Sequence, residues 1–278
     1  MTGTLHIVAT PIGNLEDMTF RAVRVLREAA LVLAEDTRHT RKLLAHHAIA
    51  ARPISLHAHN EAARVERALT VLAEGGSVAL VSDAGTPLIS DPGERLVAAA
   101  LAAGFRVSPV PGASAVLAAL SVAGLASAPF AFLGFLPRKA GARRALLESY
   151  RERSETLVLF ESPHRVANTL RELADVLGDR MACVARELTK LHEAAVRGPV
   201  GELAQHFEAG TRGEITIVVS GSDRQRSAPE AGELDRAIRE QLAAGRPVGA
   251  LAASLAREFG LPRREVYARA VELRQTDS

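Results

Sequence analysis

The segment Ser82-Asp-Ala-Gly-Thr-Pro-Leu-Ile-Ser-Asp-Pro-Gly93 holds the residue types of a ligand-binding turn. It follows Val78-Ala-Leu-Val81, a short apolar run that reads as a buried strand. In open α/β sheets, ligands sit at the carboxyl ends of strands. Glycine lets the backbone approach a ligand closely and bare its N–H groups. Pro87 and Pro92 stiffen the path, and Asp83 and Asp91 supply carboxylates that could accept hydrogen bonds from an ammonium group or from ribose hydroxyls. A tight structural turn would account for Gly85, Pro87 and Gly93 by itself. It accounts less readily for both carboxylates.

Three further groupings invite a chemical reading. Glu35-Asp-Thr-Arg38 ends a second buried run, Leu31-Val-Leu-Ala34. There Asp36 could accept a hydroxyl proton while Arg38 holds an adjacent phosphate, or Asp36 could cap the following helix. His57 and His59, two apart on a strand, share one face. No third ligand motif accompanies them, so helix capping by Asn60 or nucleic-acid contact fits better than a metal, and no metal is expected. Ser162-Pro-His164 lacks the G-x-S-x-G elbow of a hydrolase. A strand-to-helix turn with Pro163 at the first helical position explains it better. There is no G-x-x-x-x-G-K-[ST] loop, and no G-x-G-x-x-G after the first strand, whose turn is Thr10-Pro-Ile-Gly-Asn14.

The elements that would position these residues alternate. Strands are expected at Leu5–Ala9, Leu31–Ala34, Ile54–His57, Val78–Val81 and Phe105–Val110. Helices are expected over Thr19–Ala30, through Leu43 and Leu44, over Arg64–Glu74 and Glu94–Ala103, and from Gly112-Ala-Ser-Ala115 onward. Ala128 to Pro137, aromatic and punctuated by proline, reads as a partly packed linker. A second set follows: helices at Ala145–Tyr150, Val166–Leu177 and Leu203–Phe207, and strands at Thr156–Phe160, Cys183–Ala185 and Ile215–Val219. Ser222 to Pro229 is a polar linker. Ala250–Phe259, a turn at Gly260–Pro262 and Arg263–Leu273 have helix-turn-helix spacing. The fold class is α/β: two α/β domains, 1–127 and 128–221, with a small C-terminal helical domain, 230–278.

Composition sets the outer limits. The 278 residues are 47% hydrophobic and 24% charged, which is ordinary for a folded protein with one or two cores. The single cysteine, Cys183, lies in an apolar run and reads as a small core residue. No disulfide within the chain is possible, and a reducing, cytoplasmic setting fits. The first apolar run is too short for a signal peptide, and no stretch is long and apolar enough to span a membrane. Net charge is only +2, but basic residues crowd two places. Arg138, Lys139, Arg143, Arg144, Arg151 and Arg153 form one cluster; Arg257, Arg263, Arg264, Arg269 and Arg274 form the other. Many alternate with glutamate, so each is either a solvated helix face or a surface for an acidic partner.

The motifs together resemble one family. Val8-Ala-Thr-Pro-Ile-Gly-Asn-Leu15, Ala34-Glu-Asp-Thr-Arg38, Ser82 to Gly93, Val110-Pro-Gly-Ala-Ser-Ala115, Gly134-Phe-Leu-Pro137 and Phe160-Glu-Ser-Pro-His-Arg165 look like the small-subunit ribosomal RNA methyltransferase I family, of the tetrapyrrole-methylase superfamily. The order of the motifs matches too, and the resemblance spans nearly the whole chain. It implies the class III methyltransferase fold and S-adenosylmethionine as cofactor, held between the two α/β domains. It implies 2′-O-methylation of a cytidine in the decoding region of 16S rRNA, and a homodimer. Carried over by position, the cofactor contacts are Pro11, Asp83, Ala84, Gly85, Thr86, Ser114, Ala115, Phe160, Glu214 and Ile215. Asp36 and Arg38 are the candidates for proton acceptance and phosphate binding. Arg138, Lys139, Arg143, Arg144, Arg263 and Arg264 are the candidates for contact with 16S rRNA or the small ribosomal subunit. Two other readings stay open: a tetrapyrrole methyltransferase on the same scaffold, and a non-catalytic RNA-binding ribosome factor.

Overall fold

The computed structural model describes residues 3–57, 60–222, 232–259 and 261–276. Five parallel strands form a first sheet: β1 (Thr4–Val8), β2 (Leu31–Ala34), β3 (Ile54–Ser55), β4 (Val78–Val81) and β5 (Arg106–Val110), in the order β3-β2-β4-β1-β5. β2 and β4 are buried at every position, which is why their sequences are unbroken apolar runs. The connecting helices are α1 (Phe20–Glu28), α2 (Thr37–His46), α3 (Glu61–Ala73) and α4 (Glu94–Ala102).

These helices divide between the two faces of the sheet. On one face, Val25 and Leu26 of α1 and Leu43 and Leu44 of α2 pack on Val32, Ala79 and Val81. On the other, Ala68 and Leu72 of α3 and Leu96 and Ala100 of α4 pack on Leu5, Leu33 and Leu80. The chain therefore leaves neighbouring strands β1 and β4 toward opposite faces. That divergence opens a crevice at the carboxyl ends of these two strands, the switch point where such sheets take ligands.

The second sheet is built differently. After α5 (Ala115–Ala123) come β6 (Phe130–Phe135), α6 (Ala140–Glu148), β7 (Thr156–Glu161), α7 (Val166–Leu177), β8 (Met181–Arg186), β9 (Ala194–Pro199), α8 (Val200–His206) and β10 (Ile215–Val219). The strand order is β6-β7-β10-β8-β9; β6 and β7 are parallel and the other neighbours antiparallel. The expected linker at Ala128 to Pro137 is thus largely a strand. β6 is an edge strand with its prolines outside Phe130–Phe135, and its register shifts between Phe132 and Gly134, where Gly134 takes a φ of 61°. Proline and glycine are tolerated at edges and bulges, so the punctuation did not mark a break.

Helix α5 precedes residue 127 yet packs on the second sheet. Val116, Ala119, Leu120 and Ala123 meet Val158, Cys183, Ala185 and Val218. Cys183 is fully buried there, as its apolar neighbours suggested. Leu147, Leu170, Leu173 and Leu203 from α6, α7 and α8 cover the opposite face.

Three final helices, α9 (Glu233–Ala243), α10 (Val248–Glu258) and α11 (Arg263–Thr276), share a core of their own around Ile238, Leu251, Leu255, Val266 and Leu273. Most of the expected polar linker and the glycine of the expected α10–α11 turn lie outside the described residues. Among the described residues, no helix is long and apolar enough to cross a membrane.

Candidate active site

Three loops meet over the crevice and are tied to one another. Thr10 and Gly85 form a two-bond bridge: the Thr10 N–H donates to Gly85 O at 2.8 Å, and the Gly85 N–H returns to Thr10 O at 3.0 Å. The Ser82 hydroxyl also donates to Gly85 O, at 2.9 Å. From the third loop, the Asp36 N–H donates to Asp83 Oδ1 at 3.0 Å. The β4 loop is wound tightly. Gly85 has a φ of 82°, and two residues with side chains, Leu88 at 77° and Ser90 at 72°, also lie in the left-handed region. Such backbone persists where the surroundings over-determine it and gathers at ligand clamps.

Between these loops and the second sheet lies a cavity of about 270 Å³. Asp83, Ala84, Ile89, Ser90 and Asp91 form its wall on the β4 side, with Ile12 and Ala115 beside them. Phe135, Phe160 and Glu161 come from β6 and β7; Ala185 and Leu188 from the end of β8; Glu214, Ile215 and Thr216 from the start of β10. Six of the ten sequence-derived cofactor positions are therefore in the wall: Asp83, Ala84, Ala115, Phe160, Glu214 and Ile215.

The other four lie around it. Gly85 forms the bridge, and the Thr86 hydroxyl donates to Ala113 O at 3.3 Å. Ser114 caps α5, its Oγ accepting the Leu117 N–H. Pro11 lines an adjoining cavity. The predicted set lacks Ile12, Phe135, Glu161, Leu188 and Thr216. Ile12, Phe135 and Glu161 lie within the quoted motifs, whereas Leu188 and Thr216 carry no mark that a core residue would not share.

The cavity is acidic at one end. Asp91 Oδ2 is buried and has no hydrogen-bond partner. Burial, then the charges of Glu35 and Asp83, push its carboxyl up to about 6. Burial and the neighbouring Asp83 and Asp36 also raise Glu35. A buried carboxylate with an unpaired oxygen, in a wall that mixes carboxylates with apolar side chains, fits a ligand that carries an ammonium group or ribose hydroxyls beside a flat aromatic ring. S-adenosylmethionine has all of these.

Asp36 and Arg38 stand outside that wall. Asp36 caps α2, its Oδ1 accepting the Arg38 N–H at 2.7 Å, while its other oxygen meets Arg38 Nη2 at 2.7 Å. The Arg38 hydrogen bonds hold the Asp36 carboxyl well below the usual carboxylate range. That makes it a weak proton acceptor, and the helix-cap reading accounts for its geometry.

The basic candidates stand in different local settings. Arg138 lines a cavity of about 470 Å³ with Phe135, Glu161 and Arg165, next to the first cavity, and Lys139 is exposed at the start of α6. Arg143 is mostly buried, with Nε 2.5 Å from Glu172 and Nη1 donating to Pro137 O, which makes it a staple of the β6–α6 turn. Arg144 pairs with Glu148 one turn along α6. Arg263 and Arg264 are exposed at the start of α11.

Two local readings change. Asn60 stands at the N-cap position of α3 but makes no side-chain capping bond; its side chain accepts from the His57 N–H and donates to Ser55 O, closing the turn after β3. His59 lies outside the described residues. Pro163 sits in the turn before α7 rather than at its first position, since the helix begins at Val166.

Comparison with known proteins places this architecture. Residues 4–204 match the model of the Tetrapyrrole (Corrin/Porphyrin) Methylases. A Ribosomal RNA small subunit methyltransferase I of Xylella fastidiosa is 49% identical over 271 residues, 95% of this chain and 98% of that protein. One of Micromonospora olivasterospora is 48% identical over 274 residues, 96% of this chain and 86% of that protein. Among solved structures, a cobalt precorrin-4 methyltransferase of cobalamin biosynthesis superposes with a TM-score of 0.59 at 20% identity, over 78% of this chain and 94% of that one, a likeness of fold. With its switch-point crevice, its carboxylate-ended cavity and these relatives over almost its full length, the chain belongs to the ribosomal RNA small subunit methyltransferase I family, on the tetrapyrrole methylase fold.

Proposed function

We propose that this chain methylates the ribosomal RNA of the small subunit with S-adenosylmethionine as donor, at the 2′-oxygen of a cytidine in the decoding region. It works as a cytoplasmic homodimer. The 2′-oxygen, the cytidine and the dimer follow from the family resemblance. The observation that carries the cofactor assignment is the buried, unpartnered Asp91 Oδ2 in the wall of a cavity that combines carboxylates with apolar side chains.

When bound, S-adenosylmethionine supplies an electrophilic methyl group, so the protein's task is alignment rather than activation. Asp91 accepts hydrogen bonds from the cofactor's ammonium group or ribose hydroxyls. Asp83 and Glu35 add negative potential close to it. Phe160, Leu188 and Ile215 cover the apolar part of the cofactor and exclude water. Pro11, Gly85, Thr86, Ser114 and Ala115 shape the loops around it, and Ala84, Glu214 and Ile215 present their edges to it. Asp36 and Arg38 act as a locked pair that fixes the start of α2. Arg138, Lys139, Arg144, Arg263 and Arg264 meet RNA phosphates, with the helical tail, 230–278, as an RNA-binding piece beside the two α/β units, 1–127 and 128–221.

Transfer of a labelled methyl group to small ribosomal subunits tests this reading, with the modified nucleotide mapped by mass spectrometry. A ribose-methylated cytidine is the expected product. Transfer to a porphyrinoid but not to subunits would overturn it, and so would failure to bind S-adenosylmethionine.

A further inference from the structure

A second cavity of about 330 Å³ adjoins the first and shares Ile12, Asp83, Ala84 and Glu214 with it. It lies above the carboxyl ends of β1, β2 and β4, and its outer walls come from the β1 loop, from α2 and from Lys190. The shared wall is acidic. The outer walls are not.

Helix α2 carries no acidic residue between Thr37 and His46, but it carries Arg38, Arg41 and Lys42. His39, Lys42 and His46 recur at spacings of three and four, so they share a face. His39 and Lys42 line the cavity. Lys42 is exposed and has no carboxylate partner among the described residues.

Lys190 faces this helix from the second sheet. Its ammonium donates to Glu187 Oε1 at 2.9 Å and to Glu214 Oε2 at 3.0 Å, which leaves one of its three N–H bonds for a ligand. Its position is built with care. Glu187 and Thr189 have φ values of 52° and 67°, in the left-handed region. The Asn14 N–H donates to Thr189 Oγ1 at 3.0 Å. Gly13 packs so closely that a Cβ there would lie 2.5 Å from Lys190 Cγ. A salt bridge alone needs none of this.

Resting on the proposed function, we infer that this second cavity is the acceptor site and takes the sugar–phosphate backbone of RNA. Lys42 and the basic face of α2 hold a phosphate, and Lys190 donates its remaining hydrogen bond to a ribose oxygen, beside the cofactor cavity. The acidic wall faces the cofactor and the basic wall faces the RNA. Lys190 is a positioning residue for the acceptor oxygen.

The test uses the full chain, calorimetric titration with S-adenosylmethionine, and methyl transfer to small ribosomal subunits over a series of salt concentrations. Lys42→Glu raises KM for subunits about tenfold and flattens its dependence on log salt by roughly one phosphate contact, while cofactor affinity stays near wild type. Lys190→Met loses transfer with cofactor binding retained, and Lys190→Arg recovers part of it. Wild-type transfer with an unchanged KM and salt slope in Lys42→Glu overturns the acceptor site alone. So does joint loss of cofactor binding and transfer in both Lys190 variants, which marks a structural staple. Absence of transfer to subunits by the wild-type protein overturns the functional reading beneath it.

Discussion

Asp83 accepts the backbone N–H of Asp36 through Oδ1 at 3.0 Å, whereas Asp91, eight residues further along the same loop, keeps a buried oxygen without a partner. The two carboxylates that look equivalent in the loop sequence both line the cavity but differ in role: Asp83 ties loops together, and Asp91 keeps a buried oxygen unpaired. We expect Asp91→Asn to weaken S-adenosylmethionine binding by about tenfold or more, since a hydrogen bond to a charged group contributes roughly 1.5–3 kcal/mol. Asp83→Ala should weaken it less and lower stability by about 1 kcal/mol. Calorimetry and urea unfolding of both variants separate the two effects; equal loss of affinity would sink the distinction.

The raised Asp91 carboxyl makes the site sensitive to acid. Cofactor affinity should fall as pH drops through about 6, because the proton competes with the ligand for the same oxygen. Stability without ligand runs the other way. Between the ordinary carboxyl value and about 6, the folded protein holds a proton that the unfolded chain has released, so stability falls as pH rises across that window. Above it the deficit is constant. Asp91→Asn should remove this slope, which thermal unfolding across the window would reveal.

Asp36 offers the opposite case. Removing the cap of α2 with Asp36→Ala should lower the unfolding midpoint, since the first turn loses the acceptor of its Arg38 N–H. The pH dependence of methyl transfer at neutral pH should keep its shape, since a carboxyl held this low by Arg38 does not titrate there. A profile displaced by this variant would restore Asp36 as the proton acceptor.

Gly13→Ala should disturb the junction of the two sheets. The added Cβ would meet Lys190 Cγ at 2.5 Å and Thr189 Oγ1 at 2.7 Å, neither at the far end of a flexible chain. Overpacking of this kind costs roughly 1–3 kcal/mol. Methyl transfer should drop together with the unfolding midpoint, and an unchanged midpoint would show that the loop shifts freely.

Truncation after Gly221 should leave the unfolding of both sheets intact, because α9 to α11 have a separate core. RNA affinity should weaken more than cofactor affinity. Equal losses, measured by filter binding and calorimetry, would make the tail a structural support.

Much of this architecture is legible in the sequence for a plain reason. Central strands such as β2 and β4 are covered on both faces, so they appear as unbroken apolar runs ending where the loops begin. Edge strands carry no such mark. β6 is bracketed by proline and bulged at glycine, and β9 contains Arg197, Gly198 and Pro199. The site divides in the same way. Loop glycines and carboxylates announce themselves, but nothing in the sequence tells Asp83 from Asp91, since the difference is which oxygen meets a distant backbone N–H. Lys190 is a lysine among glutamates until the fold sets it opposite α2.

The bridge between Thr10 and Gly85 bears on how the site is walled. Because two backbone hydrogen bonds join the β1 and β4 loops, neither can peel away alone like a flap. The cofactor therefore meets these two loops as one fixed wall rather than as two separate flaps. On the far side, the Asn14–Thr189 bond ties the β1 loop to the Glu187–Lys190 turn, while Lys190 holds that turn together through Glu187 and Glu214.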